Sequence, residues 1–585
     1  MTINLQAAEN NLIYIRVNQM GYVPQDTKVA IAFSNHKIQK KCRLIRESDG
    51  KIMFSFRSRE IKKHGWANFK YYYELNFSSI KEPGSYHLMI GSSQSKSFAI
   101  QQDVYRAVPD SLLVYLRQQR CGYNPFWHEV CHRLDGRTMF APFPDSAYLD
   151  ASGGWHDAGD DLKYLLTTSY AVPVMLMAYQ TAPGIFADSV NSYGETMPNG
   201  LPDILDEAKW GLDWMHKLHP APDMLFHQVA DDRDHIGWKK PGADSSDYGW
   251  GSNSYRVVYF ADGKPQGLRK YKSNSDGVAN LAGRYAAAMA LAYRIWEQQE
   301  HRNSPFAQKC LKAAGEVYRL GKQKEGVQQG NSYWAPYRYA ETTWADDMEW
   351  GAAELFKATA DSAYLQDAIR YARMAGAESW MGRDTTDHYQ YYPFMNMGHY
   401  VLYPLVNDQV KTELAGYYRD GIEKCLSVAK ENPFKIGVPF IWCSNNLAVA
   451  LISQCYLYEQ MTGDQRYHAL MIAARDWLLG RNPWGTTMFV GIPANGEFPE
   501  HPHASTYALT GRQITGGMVD GPIYASIYQQ LKGIYLSKAD EFASYQTDYV
   551  VYHDDIADYS SNEPTMDGTA AAIFALTVWA GNQEK

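Results

Sequence analysis

Seven cysteines in 585 residues, at positions 42, 121, 131, 310, 425, 443 and 455, are odd in number and widely scattered. That excludes a disulfide framework. No apolar run is long enough to cross a bilayer, so no membrane partner is expected. The net charge is −8 with no acidic or basic block. A nucleic-acid partner, which needs a clustered basic face, is therefore excluded too. Residues Met1–Asn11 are polar and lack a signal peptide's apolar stretch. This reads as a cytoplasmic chain, or as a processed or recombinant form of an exported one. No sequence recurs at a fixed period, which argues against a helical solenoid. Aromatics are plentiful instead, with 44 Tyr and 16 Trp. Flat rings fill cores, and they also match the apolar faces of sugars.

The length exceeds one ordinary core, and the periodicity changes once along the chain. Residues 13–100 read as β: Ile13–Asn18 alternates, Val29–Phe33 is a short apolar run, and Tyr71–Phe77 and Tyr86–Ile90 follow. Turn signals stand at Ser48-Asp49-Gly50 and Glu82-Pro83-Gly84-Ser85. Such spacing predicts an immunoglobulin-like sandwich over residues 1–104. Beyond Pro109 the period is helical. Ile204, Leu205, Ala208, Leu212 and Met215 share a face, with Pro202 at the start. Val278, Leu281, Ala282, Tyr285 and Met289 share another, behind Ser275-Asp276 as N-cap residues. Further helices are expected near 107–120, 162–180, 305–321, 346–359, 362–378, 408–427, 445–462, 465–479, 522–536 and 567–580. Gly463 and Gly480 are placed to stop two of them. About twelve helices with no strand layer between them fit six hairpins closed into an all-α (α/α)6 barrel over residues 105–585.

Two carboxylate clusters flank early and late helices. Gly153-Gly154-Trp155-His156-Asp157-Ala158-Gly159-Asp160-Asp161 gathers three acids and an imidazole in a Gly-rich turn. Asp554-Asp555-Ile556-Ala557-Asp558-Tyr559-Ser560-Ser561-Asn562-Glu563 precedes the last helix. In a closed ring the first and last hairpins are neighbours, so these clusters face each other. A lone acid opposite a carboxylate pair suits glycoside hydrolysis, where one side protonates the leaving oxygen and the other activates water. Each cluster alone also reads as helix capping. Cys121, Cys131, His132 and His156 form a second constellation. Two thiols and two imidazoles suit tetrahedral Zn²⁺, although their spacing is unlike common zinc fingers.

The chain resembles glycoside hydrolase family 9, inverting enzymes acting mostly on β-1,4-glucans. The resemblance rests on Gly153–Asp160, on Asp554-Asp555-x-x-Asp558-Tyr559-x-x-Asn562-Glu563, on Asn199–Ala208 and on Gly480-Arg481-Asn482-Pro483. Val17-Asn18-Gln19-x-Gly21-Tyr22 resembles the opening of the immunoglobulin-like module found in one branch. The resemblance implies Asp160 as base, Asp157 as its partner in holding water, and Glu563 as general acid. It also implies a closed, structural zinc site on Cys121, Cys131, His132 and His156. Thr342–Asp347 aligns with a calcium loop of some members, which makes Asp346, Asp347 and Asn396 a possible Ca²⁺ site; helix initiation is the equal alternative. Substrate-binding candidates are His503, Trp442, Tyr559 and Trp155, with Trp127 and Trp484 as weaker stacking candidates. Two family arginines are missing, at Ser505 and Ile556, which opens the substrate question; Arg512 is a candidate substitute.

The expected activity is an inverting endo-β-1,4-glucanase on cellulose, mixed-linkage glucan or xyloglucan. The alternatives are an exo-acting β-glycosidase or exo-β-glucosaminidase on short oligosaccharides, and a non-catalytic carbohydrate-binding protein. Retention of Asp157, Asp160 and Glu563 together argues against the last. A monomer is expected, secreted or periplasmic by its substrate class, or cytoplasmic by the alternative.

Overall fold

The computed structural model describes residues 12–581 apart from 63–65, 67–68, 337, 377 and 385–388. The polar segment Met1–Asn11 lies outside the described residues. Nine strands open the chain: β1 (Tyr14–Arg16), β2 (Val29–Ser34), β3 (Cys42–Arg46), β4 (Ile52–Phe56), β5 (Arg59–Glu60), β6 (Tyr71–Asn76), β7 (Gly84–Ile90), β8 (Ser93–Gln94) and β9 (Phe98–Ile100). They form two antiparallel sheets, β1-β2-β6-β5 and β4-β3-β7-β8, with β9 also on β7. Strand β2 shows why this module is not free-standing. Its residues alternate between faces: Ala30 and Ala32 join Leu44, Leu75 and Leu88 inside the sandwich. Ile31 and Phe33, on the opposite face, join the core of the helical domain.

Two motifs that are far apart in sequence meet at this junction. The Asn18 amide donates to Asp476 Oδ1 at 2.8 Å and to the Tyr105 hydroxyl at 2.7 Å. Gln19 N donates to Leu479 O and its side chain to Gly485 O. Arg16 Nε donates to Pro483 O, and buried Arg475 pairs with Asp26 at 2.7 Å. Gly480, at φ +108°, leaves the space that the Gln19 side chain fills.

Twelve of the fourteen α-helices among the described residues form a double ring: α1 (Val108–Gln118), α2 (Leu165–Thr181), α3 (Asp203–Lys217), α4 (Ala279–Trp296), α5 (Ser304–Gln323), α6 (Ala345–Thr359), α7 (Ser362–Ala375), α8 (Gly398–Leu402), α9 (Asp408–Ala429), α10 (Ser444–Thr462), α11 (His468–Leu478) and α12 (Met566–Ala580). The even-numbered helices pack in sequence, and α12 returns to both α10 and α2, so the inner ring closes. Composition sorts the rings. Helices α2 and α12 are apolar on every side and buried almost throughout, whereas α5 and α7 bury one stripe. Gly463 ends α10 in the left-handed conformation at φ +73°, as its position implies.

Three local expectations are corrected. A four-stranded sheet does lie among the helices, in the order Asp135–Met139, Arg256–Phe260, Phe226–Val229, Lys163–Tyr164. The pairing of its edge strand Asp135–Met139 with Arg256–Phe260 is parallel and spans more than a hundred residues, so no local hairpin pattern announces it. The stretch 522–536 is helical only over Ala525–Tyr528, because Ile523-Tyr524 pairs as a strand with Val550-Val551. Ser275 and Asp276 do not cap α4. Their side chains instead accept from Gln329 N and Val327 N and fix that loop.

Candidate active site

Four of the functional segments lie at the N-terminal ends of inner helices: 153–161 before α2, Tyr339 before α6, Trp442 before α10 and Glu563 before α12. Unpaired helix N–H groups make that end of the ring hospitable to carboxylates.

The first turn is tightly staked. Gly153 and Gly154 adopt φ of +98° and +73°, and a Cβ on Gly154 would strike Trp214 at 2.6 Å. Lys163 Nζ, fully buried, donates to Ala151 O and Gly153 O and pairs with Asp135 at 2.7 Å. Asp157 N donates to Leu162 O, and Asp157 O accepts from Met566 N of α12. The carboxylate of Asp157 points inward. It accepts from Thr167 Oγ1 at 2.6 Å and from the Tyr339 hydroxyl at 2.5 Å. Burial, and then the charge of Asp567 nearby, push its pKa well above the carboxylate range.

Asp160 faces a cavity of about 420 Å³. Its Oδ1 accepts from Leu162 N at 2.9 Å and its Oδ2 lies 2.9 Å from His235 Nε2. Burial alone raises its pKa, but His235 and the Leu162 N–H outweigh that and hold it below 3.8. Glu563 borders the same cavity. Its Oε1 accepts from Gly159 N at 2.8 Å. Burial, then the charges of Asp520 and Asp160, push Glu563 well above 4.5. Two neighbouring acids are thus driven to opposite protonation states, the condition for one to receive a proton while the other gives one. Gly159 is required between them, since a Cβ there would lie 2.5 Å from His503 O and 2.8 Å from Glu563 Oε1.

The other acids of the late cluster fold the loop. Asp554 accepts from Glu500 N and His501 N. Asp555 binds Ser537, and Asp558 binds Ser560, Ser561 and His553. Glu563 itself is registered by its carbonyl, which accepts from Asp520 N at 2.9 Å.

Among the expected sugar contacts, Trp442, Tyr559 and His503 border the cavity. Trp442 stacks on Tyr559 with ring centroids 5.8 Å apart, and donates its indole N–H to Asp520 Oδ2 at 2.8 Å. His503 Nδ1 lies 2.6 Å from Ile556 O, and its ring meets Trp238 at 4.7 Å. Trp155 is corrected: it is 0% exposed and donates to Glu207 Oε1, which also pairs with buried Arg120, so no glycan can reach it. Trp484 is likewise core, bonded to Gln546, and Trp127 lies under Lys240 away from the cavity. Arg512 does not replace the missing arginines, because its guanidinium covers Phe126 at 3.8 Å. Ser505 borders the cavity instead and donates to Gly159 O.

A group able to hold a metal stands behind the turn. One ligand atom each from Cys121, Cys131, His132 and His156 lie within 4.8 Å of one another, and all four residues are buried. His156 Nε2 is 3.3 Å from His132 Nδ1; Cys121 Sγ–His132 Nδ1 is 3.8 Å and Cys131 Sγ–His156 Nε2 is 3.9 Å. Tetrahedral zinc bonds of about 2.0–2.3 Å place two nitrogens about 3.3 Å apart and a nitrogen–sulfur pair about 3.6 Å apart, so the four atoms nearly match a Zn²⁺ shell. The outer ring nitrogens face carboxylates: His132 Nε2 to Asp244 at 3.2 Å and His156 Nδ1 to Asp161 at 3.5 Å. Of the expected calcium group, Asp346 and Asn396 border one cavity and Asp347 does not. Adjacent residues on a helix point about 100° apart. Asp347 turns to Arg284 at 2.8 Å, whereas Asp346 and Asn396 border a separate small cavity. Arg284, paired also with Glu341, already supplies the cation beside Asp347.

Sequence reasoning did not single out His235, Trp238, Asp520 or Tyr339. The available signal was the density of Asp231-Asp232-Arg233-Asp234-His235 just before an exposed Trp238.

Comparison with known proteins agrees with this architecture. The sequence model of glycosyl hydrolase family 9 matches residues 105–576, and that of the cellulase N-terminal Ig-like domain matches residues 13–95. A xyloglucan-specific endo-β-1,4-glucanase of Bacteroides ovatus is 26% identical over 612 aligned positions, covering 96% of this chain and 92% of the relative. A metagenome-derived family 9 endoglucanase shares the fold at a TM-score of 0.76 and 24% identity, over 97% of this chain and 99% of that one. A Zn-binding triple mutant of family 9 endoglucanase J30 does so at a TM-score of 0.74 and 24% identity, over 95% and 99%.

Proposed function

The chain belongs to glycosyl hydrolase family 9, and from that premise we propose that it is an inverting endo-β-1,4-glucanase with Asp160 as base and Glu563 as acid. The observation that carries the reading is that Asp160 and Glu563 border one cavity, with Glu563 Oε1 tied to Gly159 N beside the base, in surroundings that shift the two acids in opposite directions. Glu563, kept protonated, donates its proton to the glycosidic oxygen as the C–O bond breaks. Asp160, kept ionised, takes a proton from the water that attacks the opposite face of the anomeric carbon. Gly159 N–H holds Glu563 by Oε1, which leaves the other oxygen to carry the proton. Asp157 shares in holding the water by fixing the turn, clamped by Thr167 and Tyr339. Trp442 and Tyr559 offer stacked faces for glucosyl rings, with Trp238 and His503 on the same cavity.

The Cys121–Cys131–His132–His156 group fits Zn²⁺. With four protein ligands the metal is structural, and it supplies rigidity to the turn between His156 and Asp160. The substrate class is a β-1,4-linked glucan, with xyloglucan among the polymers to test because of the Bacteroides relative. A panel of carboxymethylcellulose, barley β-glucan, xyloglucan and chitosan oligomers decides between modes of attack. Endo action gives a steep viscosity fall with few reducing ends on at least one polymer. Monomer or dimer release without a viscosity fall contradicts it.

A further inference from the structure

The indole N–H of the sugar platform Trp442 ends on a buried acid that takes no part in the reaction itself. Asp520 Oδ2 accepts it at 2.8 Å. Asp520 Oδ1 accepts from the thiol of Cys443, the next residue, at 3.4 Å. Cys443 stands at φ +60°, a conformation uncommon for any residue with a side chain, and from there its sulfur meets the same carboxylate. The start of α10 is stapled to the segment that carries Asp520. Asn445 N donates to Asp520 O, the Asn445 amide to Val519 O, and Ser444 Oγ to Pro522 O. On its other side that segment runs antiparallel to the acid loop. Thr565 N donates to Met518 O and Asp520 N to Glu563 O, with Val519 opposite Pro564. Asp520 and Glu563 are therefore cross-strand neighbours whose side chains leave on one face. One buried acid touches the platform by its carboxylate and the general acid by its backbone.

We propose that Asp520 is a positioning residue for the substrate: its carboxylate locks the Trp442 indole, stacked on Tyr559, at a fixed place relative to Glu563. The role rests on the reading of Glu563 as acid and Trp442 as platform given above. Trp442 is half-buried and borders the cavity, and its single N–H, held from behind, fixes the plane that a glucosyl ring meets. The same carboxylate also acts on Glu563 through charge. Burial pushes Asp520 up to about 8, although the Trp442 and Cys443 bonds oppose it, and Asp567 and Asp558 face it as like charges. Glu563 faces Asp520, Asp160 and Asp157, with Tyr115 and Cys443 nearby and His235, Lys239 and His503 on the same cavity. Once Asp520 is ionised, its charge opposes the ionisation of Glu563 and keeps the acid protonated to higher pH.

The test uses the full chain and separates the acceptor from the charge. Asp520→Asn keeps an oxygen for the indole and loses the charge; Asp520→Ala loses both. At a pH below the alkaline limb, Asp520→Ala raises KM on a soluble β-glucan about tenfold with kcat within about threefold, because the lost bond served the seating of the chain. Asp520→Asn keeps KM within about twofold and moves the alkaline limb to lower pH by about one unit, because Glu563 loses a neighbouring charge. Trp442→Phe, which keeps a ring without the N–H, raises KM as Asp520→Ala does, and the double variant is no worse than either alone. An unchanged KM in Asp520→Ala, or an equal rise in Asp520→Asn, overturns the proposal. Should Asp520→Ala not fold, an unchanged KM in Trp442→Phe overturns it equally. A second readout needs no turnover: ¹⁵N-indole spectra, with Trp442 assigned through Trp442→Phe, follow solvent exchange of its N–H. That proton is protected in wild type and in Asp520→Asn, and exchanges about tenfold faster or more in Asp520→Ala. Equal exchange in all three overturns the lock. If the wild type leaves every glucan uncut, the proposed activity fails on its own, and the exchange rates still decide the contact.

Discussion

Glu563→Gln is expected to lower kcat on a β-glucan by about 10²–10⁴-fold, the range that a lost general acid costs. The substitution is close to isosteric, and the Gln carbonyl still accepts from Gly159 N in place of Oε1. What disappears is the proton. A substrate whose leaving group needs no protonation, such as a dinitrophenyl cellobioside, should therefore lose far less than the polymer. The pH dependence gives an independent sign. Glu563 is raised, so activity is present below its pKa and lost as pH rises through it. Asp160 is lowered, so activity is present above its pKa and lost as pH falls through it. Glu563→Gln removes the alkaline limb and leaves the acid limb. Retention of polymer turnover within tenfold of wild type removes Glu563 from the acid role.

The second large effect concerns the metal group. Protein purified without added metal is expected to carry about one Zn²⁺ per chain, because four buried ligand atoms lie close to a zinc shell and carboxylates face both outer ring nitrogens. Cys131→Ala should abolish that content, lower Tm by about 5 °C or more, and reduce kcat about 10–100-fold, the range seen when a metal's supporting shell is disturbed. The reason for the link to activity is local. His156 precedes Asp157, Asp157 is tied to α12 through Met566, and Asp160 rides the same turn. Elemental analysis and thermal melts check it. A fully active, metal-free wild type would show that the four side chains pack as an ordinary buried cluster.

What was legible in the sequence follows the range of the interactions. Glycine-rich turns, paired acids and the Cys–His set are short and chemically dense, so Asp160, Glu563 and the metal group stood out. Helices α2 and α12 of the inner ring announce themselves by being apolar on all sides. Long-range pairings did not. The parallel pairing of Arg137 with Val257 has no local signature, and Ile523-Tyr524 became a strand only because Val550-Val551 lies alongside. Trp155 had the type and position of a sugar platform, but Arg120 and Glu207, from two other segments, close around it. Of the calcium candidates, Asp347 is taken by Arg284 arriving from α4, whereas Asp346 and Asn396 share one cavity. His235 carries its meaning only beside Asp160, 75 residues away.

In the proposed mechanism one ionised and one protonated acid displace the aglycone with inversion. The most direct measurement is the anomeric configuration of the first product, followed by proton NMR as the wild-type enzyme cuts a soluble β-1,4-glucan. The α-anomer signal is expected to appear first, and the β-anomer to grow only as mutarotation proceeds. Initial appearance of the β-anomer would mean retention through a covalent intermediate, and would contradict the assignment of Asp160 as a water-activating base.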